Sequence, residues 1–190
     1  MSMSARPRAR VDVLAAVRRR AGWLGTAAYA LVLCAVVVAV VGVVGLAVGR
    51  PYVFPSLGPT VMLFFESPLR RSASALCTLV GHAVAILVGV GALWAFGLAD
   101  EPAVLAEGLT PPRVAAAATA VALTAFVLLA LRCPHPPAGA TTLLISLGLL
   151  TTVGELLAVV VGVVLVTVVG VALNRALGVR QALIPARDQQ

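Results

Sequence analysis

Two uninterrupted apolar stretches constrain this chain more than anything else in it. Leu24 to Val48 has no ionisable group besides the thiol of Cys34 and the phenol of Tyr29, and Val153 to Leu173 carries only Glu155. Each matches or exceeds the roughly 20 residues that take a helix across a bilayer core. Composition agrees: of 190 residues, 61% are hydrophobic and 11% charged, against about half and about a quarter in a soluble domain. One globular core of this length cannot hide that much apolar surface. A soluble enzyme, a secreted disulfide scaffold and a nucleic-acid-binding domain are excluded. The expected class is an all-α polytopic membrane protein whose first partner is the lipid bilayer.

Charge refines the class. The 14 basic residues are all arginine and the net charge is +7. Six of them precede the first apolar run, which reads as a cytoplasmic tail and not as a patch for nucleic acid. That first run is too long for a cleavable signal segment and lacks a small-residue cleavage site, so it is expected to stay as an anchor. Arginine without lysine, beside abundant Ala, Val and Gly, fits a bacterial source, hence a multi-pass protein of the inner membrane. Cys34, Cys77 and Cys133 are odd in number and widely spaced, and no disulfide framework follows from them.

Proline and glycine divide the rest. Residues 1–22 form the basic tail. Pro51, Pro55, Gly58, Pro59 and Pro68 forbid one regular helix between Pro51 and Ser67. Ser72 to Leu98 is a second long span, and residues 99–113 are an external polar loop with Asp100, Glu101 and Glu107. Val114 to Leu131 is a third span. Arg132 to Leu150 opens on Cys133-Pro134-His135-Pro136-Pro137-Ala138-Gly139 before turning helical, and Val153 to Leu173 is the fourth. Residues 179–190 are a second cytoplasmic tail. Helices over Pro59–Glu66 and Ala138–Leu150 are expected inside the two interrupted stretches.

Those stretches resemble one another. Pro55, Gly58 and Thr60 match Pro136, Gly139 and Thr141 at an offset of 81, and from Tyr52 to Leu98 that offset gives 13 identities in 47 pairs. Chance in so skewed a composition gives about five or six. The repeats would span residues 23–98 and 114–178, each a long helix, a broken segment and another long helix. Arginine placement bears on whether the broken segments cross. If both cross, 12 arginines lie inside and only Arg50 and Arg113 outside; if both are re-entrant, the split is 10 to 4. The inside bias of basic residues favours crossing. The expected fold therefore has four long transmembrane helices and two half-helical segments in a 3+3 inverted repeat.

His135-Pro136-Pro137 with Ala138-Gly139-Ala140-Thr141, together with Phe54-Pro55-Ser56-Leu57-Gly58-Pro59-Thr60 and Gly81-His82, resembles the signature of the HPP family of integral membrane proteins. The resemblance covers about residues 20–178. It implies four transmembrane helices and a transport role, with nitrite as the substrate linked to a plant plastid member. Some relatives carry a C-terminal nucleotide-binding regulatory module, which is not expected in so short a chain.

The residues support that implication on their own terms. Irregular backbone at membrane depth is tolerated only where protein or water satisfies it. Broken helices at matching positions of two repeats point to a transporter site. Two half-helix starts near Thr60 and Thr141 would offer positive dipole ends to an anion. The candidate substrate-binding residues are Pro55, Gly58, Pro59, Thr60, His82, His135, Pro136, Pro137, Gly139 and Thr141. His135, held between prolines, could pair with an anion or couple to protons, or simply donate to a carbonyl of the break. His82 is an ionisable group within a span, though a neutral helix-to-helix hydrogen bond explains it nearly as well. Arg132 reads as an interfacial anchor. No metal site, cofactor or catalytic constellation is expected: Cys133 and His135 find no closed ligand set, and Glu66 and Glu155 sit at segment ends. Small-residue faces such as Gly45-x-x-x-Gly49 are packing devices that would also allow a homo-oligomer. The leading expectation is a transporter or channel for a small inorganic anion. The alternative is a non-transporting scaffold or regulatory subunit of a larger membrane complex.

Overall fold

The computed structural model describes residues 12–184. Arg6, Arg8, Arg10 and Arg187, which entered the charge argument, lie outside them. The described residues are all-helical. Four helices are long and apolar enough to cross a membrane: α1 (Val13–Val48), α3 (Ala75–Ala95), α5 (Pro111–Ala130) and α7 (Val153–Ala176). Between them lie the short helices α2 (Leu57–Glu66), α4 (Val104–Glu107) and α6 (Pro137–Ser146), and a 3-10 turn over Arg71–Ala73.

Each long helix starts on a residue built for the purpose. Asp12, Ser74, Thr110 and Thr152 each accept a hydrogen bond from the N–H three positions on, the usual N-cap device. Thr152 and Glu155 form a reciprocal capping box. Pro111 and Pro112 occupy the first turn of α5, where a missing N–H costs nothing. The buried face of α1 is Gly25, Tyr29, Leu33, Val37, Val41 and Gly45, a stripe repeating every four residues. Elsewhere Leu31, Leu46, Leu87, Trp94 and Phe126 are exposed, as apolar side chains facing lipid must be.

Several boundaries differ from those expected. α1 begins at Val13, so residues 13–22 of the supposed tail are helical. The Asp12 cap and a bond from Val13 N–H to the Leu177 carbonyl anchor this start, and the break from the main span comes at Gly22 (φ 58°). α6 stops at Ser146, short of Leu150, because Gly148 turns left-handed (φ 77°) and Leu149 N–H closes back on the Leu144 carbonyl. The second tail is not free where described. The carbonyls of Ala182 and Leu183 accept from the N–H groups of Ala75 and Leu76 at the start of α3. Gln181 is buried, bonded to the Ala73 carbonyl and to Asn174.

Neither broken segment turns back on itself. The first begins against the end of α1, where a Cβ on Gly45 would lie 2.6 Å from the Arg50 carbonyl oxygen. It then follows α7: a Cβ on Gly162 would meet the Tyr52 carbonyl at 2.5 Å, and one on Gly170 the Phe64 ring at 2.6 Å. It finishes beside Tyr29, whose ring lies 6.1 Å from that of Phe65. The second segment starts where the Arg71 Nε donates to the Arg132 carbonyl. It passes Gly81 with His135 and Gly89 with Ile145, each 2.8 Å from a would-be Cβ. It ends at the Leu147 carbonyl, which accepts from Val104 N–H at the opposite end of α3. Gly81, Gly89, Gly162 and Gly170 thus all sit at close packing contacts, and none faces lipid.

The cysteines require a correction. Cys77, in the first turn of α3, and Cys133, two residues before His135, form a disulfide with Cα atoms 4.8 Å apart. Nothing in their spacing along the chain announces the pair, because it is the crossing path of the second broken segment that brings them together.

Candidate functional site

Proline sets up the site locally. Pro134, Pro136 and Pro55 disfavour helix at the residues before them, while Pro136 and Pro137 start α6 in helical conformation and Pro59 sits in the first turn of α2, where its missing N–H costs nothing. Glycine then lets the extended stretch approach: with no Cβ at Gly81, the His135 side chain lies directly on the α3 backbone.

Four polar side chains from three segments meet there. Thr60 of α2 and Thr141 of α6 both contact His82 of α3, Thr60 Oγ1 lying 3.1 Å from Nε2 and Thr141 Oγ1 lying 2.8 Å from Nδ1. His135 joins through Nε2, 3.4 Å from the same Thr60 oxygen, while its Nδ1 lies 2.8 Å from the Ser72 carbonyl oxygen. The imidazole rings stand edge to face with centroids 5.1 Å apart. All four side chains are buried, with at most 1% of their surface exposed. Buried polar groups in hydrocarbon must be paired, and here each imidazole nitrogen has a partner.

The remaining candidates are not gathered in one place. Pro136 and Gly139 join His135 along a cavity of about 270 Å³ whose other wall is α5, through Val121, Thr124 and Leu128. Pro55 and Gly58 line a different crevice of about 370 Å³, against α1 and Val166 of α7. Pro59 is exposed and Pro137 is buried in the first turn of α6. Arg132 is exposed, as an interfacial residue should be. Several helix-start N–H groups are already engaged by the chain: Ala138 donates to the His135 carbonyl, Gly139 to Pro136 and Leu57 to Phe54. Hydroxyls and imidazoles are therefore the prominent side-chain polar groups at the junction.

Sequence reading missed three features. The Ser56 hydroxyl, one turn before Thr60, is fully buried with no hydrogen-bond partner. Asn174 holds together the end remote from Gly148: it accepts from the Tyr29 hydroxyl and donates to the Phe64 carbonyl and to Gln181. Its spacing of four from Gly170 places it on the buried face of α7, a signal that was available. Arg113 is 1% exposed and donates to the carbonyls of Glu101 and Pro102, tying the polar loop to α5. Its position in the first turn of an otherwise apolar helix marks it as unusual, but not as buried.

A family model described as HPP, transmembrane region, matches residues 18–182. No curated protein and no solved structure matches the chain.

Proposed function

This chain belongs to the HPP transmembrane-region family, and on that footing we propose that it is a permease or channel for a small inorganic anion, with a transport and not a catalytic role. One observation carries the reading. Two half-helices from separate broken segments each put a threonine near their start on one of the two nitrogens of a single buried histidine. Discontinuous helices that meet inside a bundle are how many transporters build a substrate site.

The inverted-repeat reading draws support from the same contacts. The offset of 81 pairs Thr60 with Thr141, and both touch His82. It also pairs Phe64 with Ile145 and Gly170 with Gly89, and those contacts likewise correspond. Each repeat's last long helix would then hold the other repeat's broken segment. An anion is favoured over a cation by the positive ends of α2 and α6 and by the absence, among the described residues, of any carboxylate bonded to the cluster. Nitrite is the substrate that family resemblance suggests. Arg18 to Arg20, Arg70, Arg71, Arg132, Arg175 and Arg180 mark the end assigned to the cytoplasm of a bacterial cell. Purified protein in liposomes, assayed against nitrite, nitrate and chloride, should carry at least one of them faster than protein-free liposomes. No flux of any of the three through folded protein would return the chain to a scaffold role.

A further inference from the structure

The hydrogen-bond chain at the site has a fixed direction, and from it we propose that the proton is the coupling ion: Thr60 hands a proton from His82 to His135, where the charge rests. This rests on the permease reading for its purpose, while the proton path follows from hydrogen-bond valence alone. A carbonyl oxygen can only accept. His135 Nδ1, 2.8 Å from the Ser72 carbonyl, must therefore carry hydrogen. In the neutral ring Nε2 is then bare; the Thr60 hydrogen has two acceptors at 3.4 Å, this nitrogen and the Ser56 carbonyl, and it goes to the nitrogen, which would otherwise be buried without a donor. The Thr60 oxygen, its own hydrogen committed, accepts from Nε2–H of His82. His82 Nδ1 is left bare and accepts from the Thr141 hydroxyl. Each ring donates once and accepts once, and the two rings are opposite tautomers.

The same links carry a proton. When His82 gains one at Nδ1, its Nε2–H bond breaks as a new Thr60 O–H forms. The original Thr60 O–H breaks as Nε2–H of His135 forms. One positive charge moves, Thr60 stays neutral and nothing is oxidised. The hydrogen now on Thr60 has two acceptors, the bare Nε2 of His82 and the Ser56 carbonyl at 3.4 Å. Charge on His135 leaves both its N–H groups paired, to Ser72 and to Thr60. His82 keeps its Nδ1–H toward Thr141 in either state, so the acceptors decide: the charged ring is better held where Nδ1–H meets the Ser72 carbonyl than where it meets the Thr141 hydroxyl. With centroids 5.1 Å apart the rings repel as two cations, so one charge is carried at a time. His135 also lines the cavity beside α5, where its charge meets an anion.

The surroundings leave the pair in control. The 3-10 turn contributes Arg71, engaged with the Arg132 carbonyl. The adjoining Cys77 and Cys133 are bridged and do not titrate. The side-chain partners that α2 and α6 bring to the pair are the hydroxyls of Thr60 and Thr141, and α5 adds Thr124 to the cavity wall.

The test is nitrogen-15 NMR of histidine-labelled full-length protein in lipid nanodiscs, with two histidines to resolve. At mildly alkaline pH the wild type should show one Nδ1–H ring and one Nε2–H ring, and His135→Gln should remove the Nδ1–H signal. On acidification the His135 signals should move to the imidazolium position before those of His82, and Thr60→Val should abolish that order. Two rings of the same tautomer in the wild type overturn the proposal even if no variant folds, and so does His82 charging first. The spectra report ring protonation and not flux, so the relay stands or falls separately from anion transport.

Discussion

At the scale of single residues the site depends on Thr60, whose hydroxyl is within hydrogen-bond distance of both histidines. Thr60→Val keeps the shape and removes this bridge, leaving two imidazole nitrogens without their Thr60 partner in a dry interior. A loss of about 1–2 kcal/mol is expected, read as a lower melting temperature in detergent, with Thr60→Ser close to wild type. Sequence made His82, His135, Thr60 and Thr141 legible because a polar group in an apolar span must have a reason. It could not reveal the Ser72 carbonyl, since a backbone acceptor has no signature of its own. The burial of Ser56 was equally hidden, because serine at a helix start ordinarily reads as a cap, and here it makes no cap bond.

Among elements, the broken segments are held by glycine on the long helices, and two comparisons check this. Gly170→Leu drives a side chain into the Phe64 ring, whereas Val168, 61% exposed on the same helix, faces outward. Gly170→Leu should cost about 1–3 kcal/mol in thermal unfolding and Val168→Leu next to nothing. Gly148→Ala meets both a left-handed backbone and the Arg113 guanidinium 3.0 Å away. Gly154→Ala meets nothing within 4 Å. The first should lower the melting temperature, by about 1–2 kcal/mol for the backbone alone, and the second should leave it unchanged. Prolines made the broken segments readable, because proline acts through local sterics. The early start of α1 and the docking of the tail on α3 were not readable. Both are fixed by backbone bonds to partners far along the chain, Leu177 for Val13 and Ala182 for Ala75.

For the whole molecule, six segments run alternately up and down, with the arginine-rich ends gathered at one side and Arg50 and Arg113 at the other. Apolar runs anticipated the four long helices; the disulfide and the inward folding of the C-terminal stretch depended on three-dimensional proximity that no linear pattern encodes. Cysteine introduced at Glu107 should react with an impermeant maleimide in intact cells. Cysteine at Leu69, 62% exposed at the opposite end, should react only after permeabilisation, and the reverse pattern would invert the assigned orientation. The central claim is that the histidine cluster serves anion movement and is more than a structural tie. A protonated His135 draws an anion into the cavity beside it, so flux should grow as pH falls. Glutamine can still donate a hydrogen bond to Ser72 but cannot take up charge, so His135→Gln should fold and lose that growth. The most direct measurement is nitrite flux in proteoliposomes, stepped from neutral into acid pH, for wild type and His135→Gln. Rising flux in the wild type beside a flat profile in the variant is the expected result; two profiles of the same shape would contradict it.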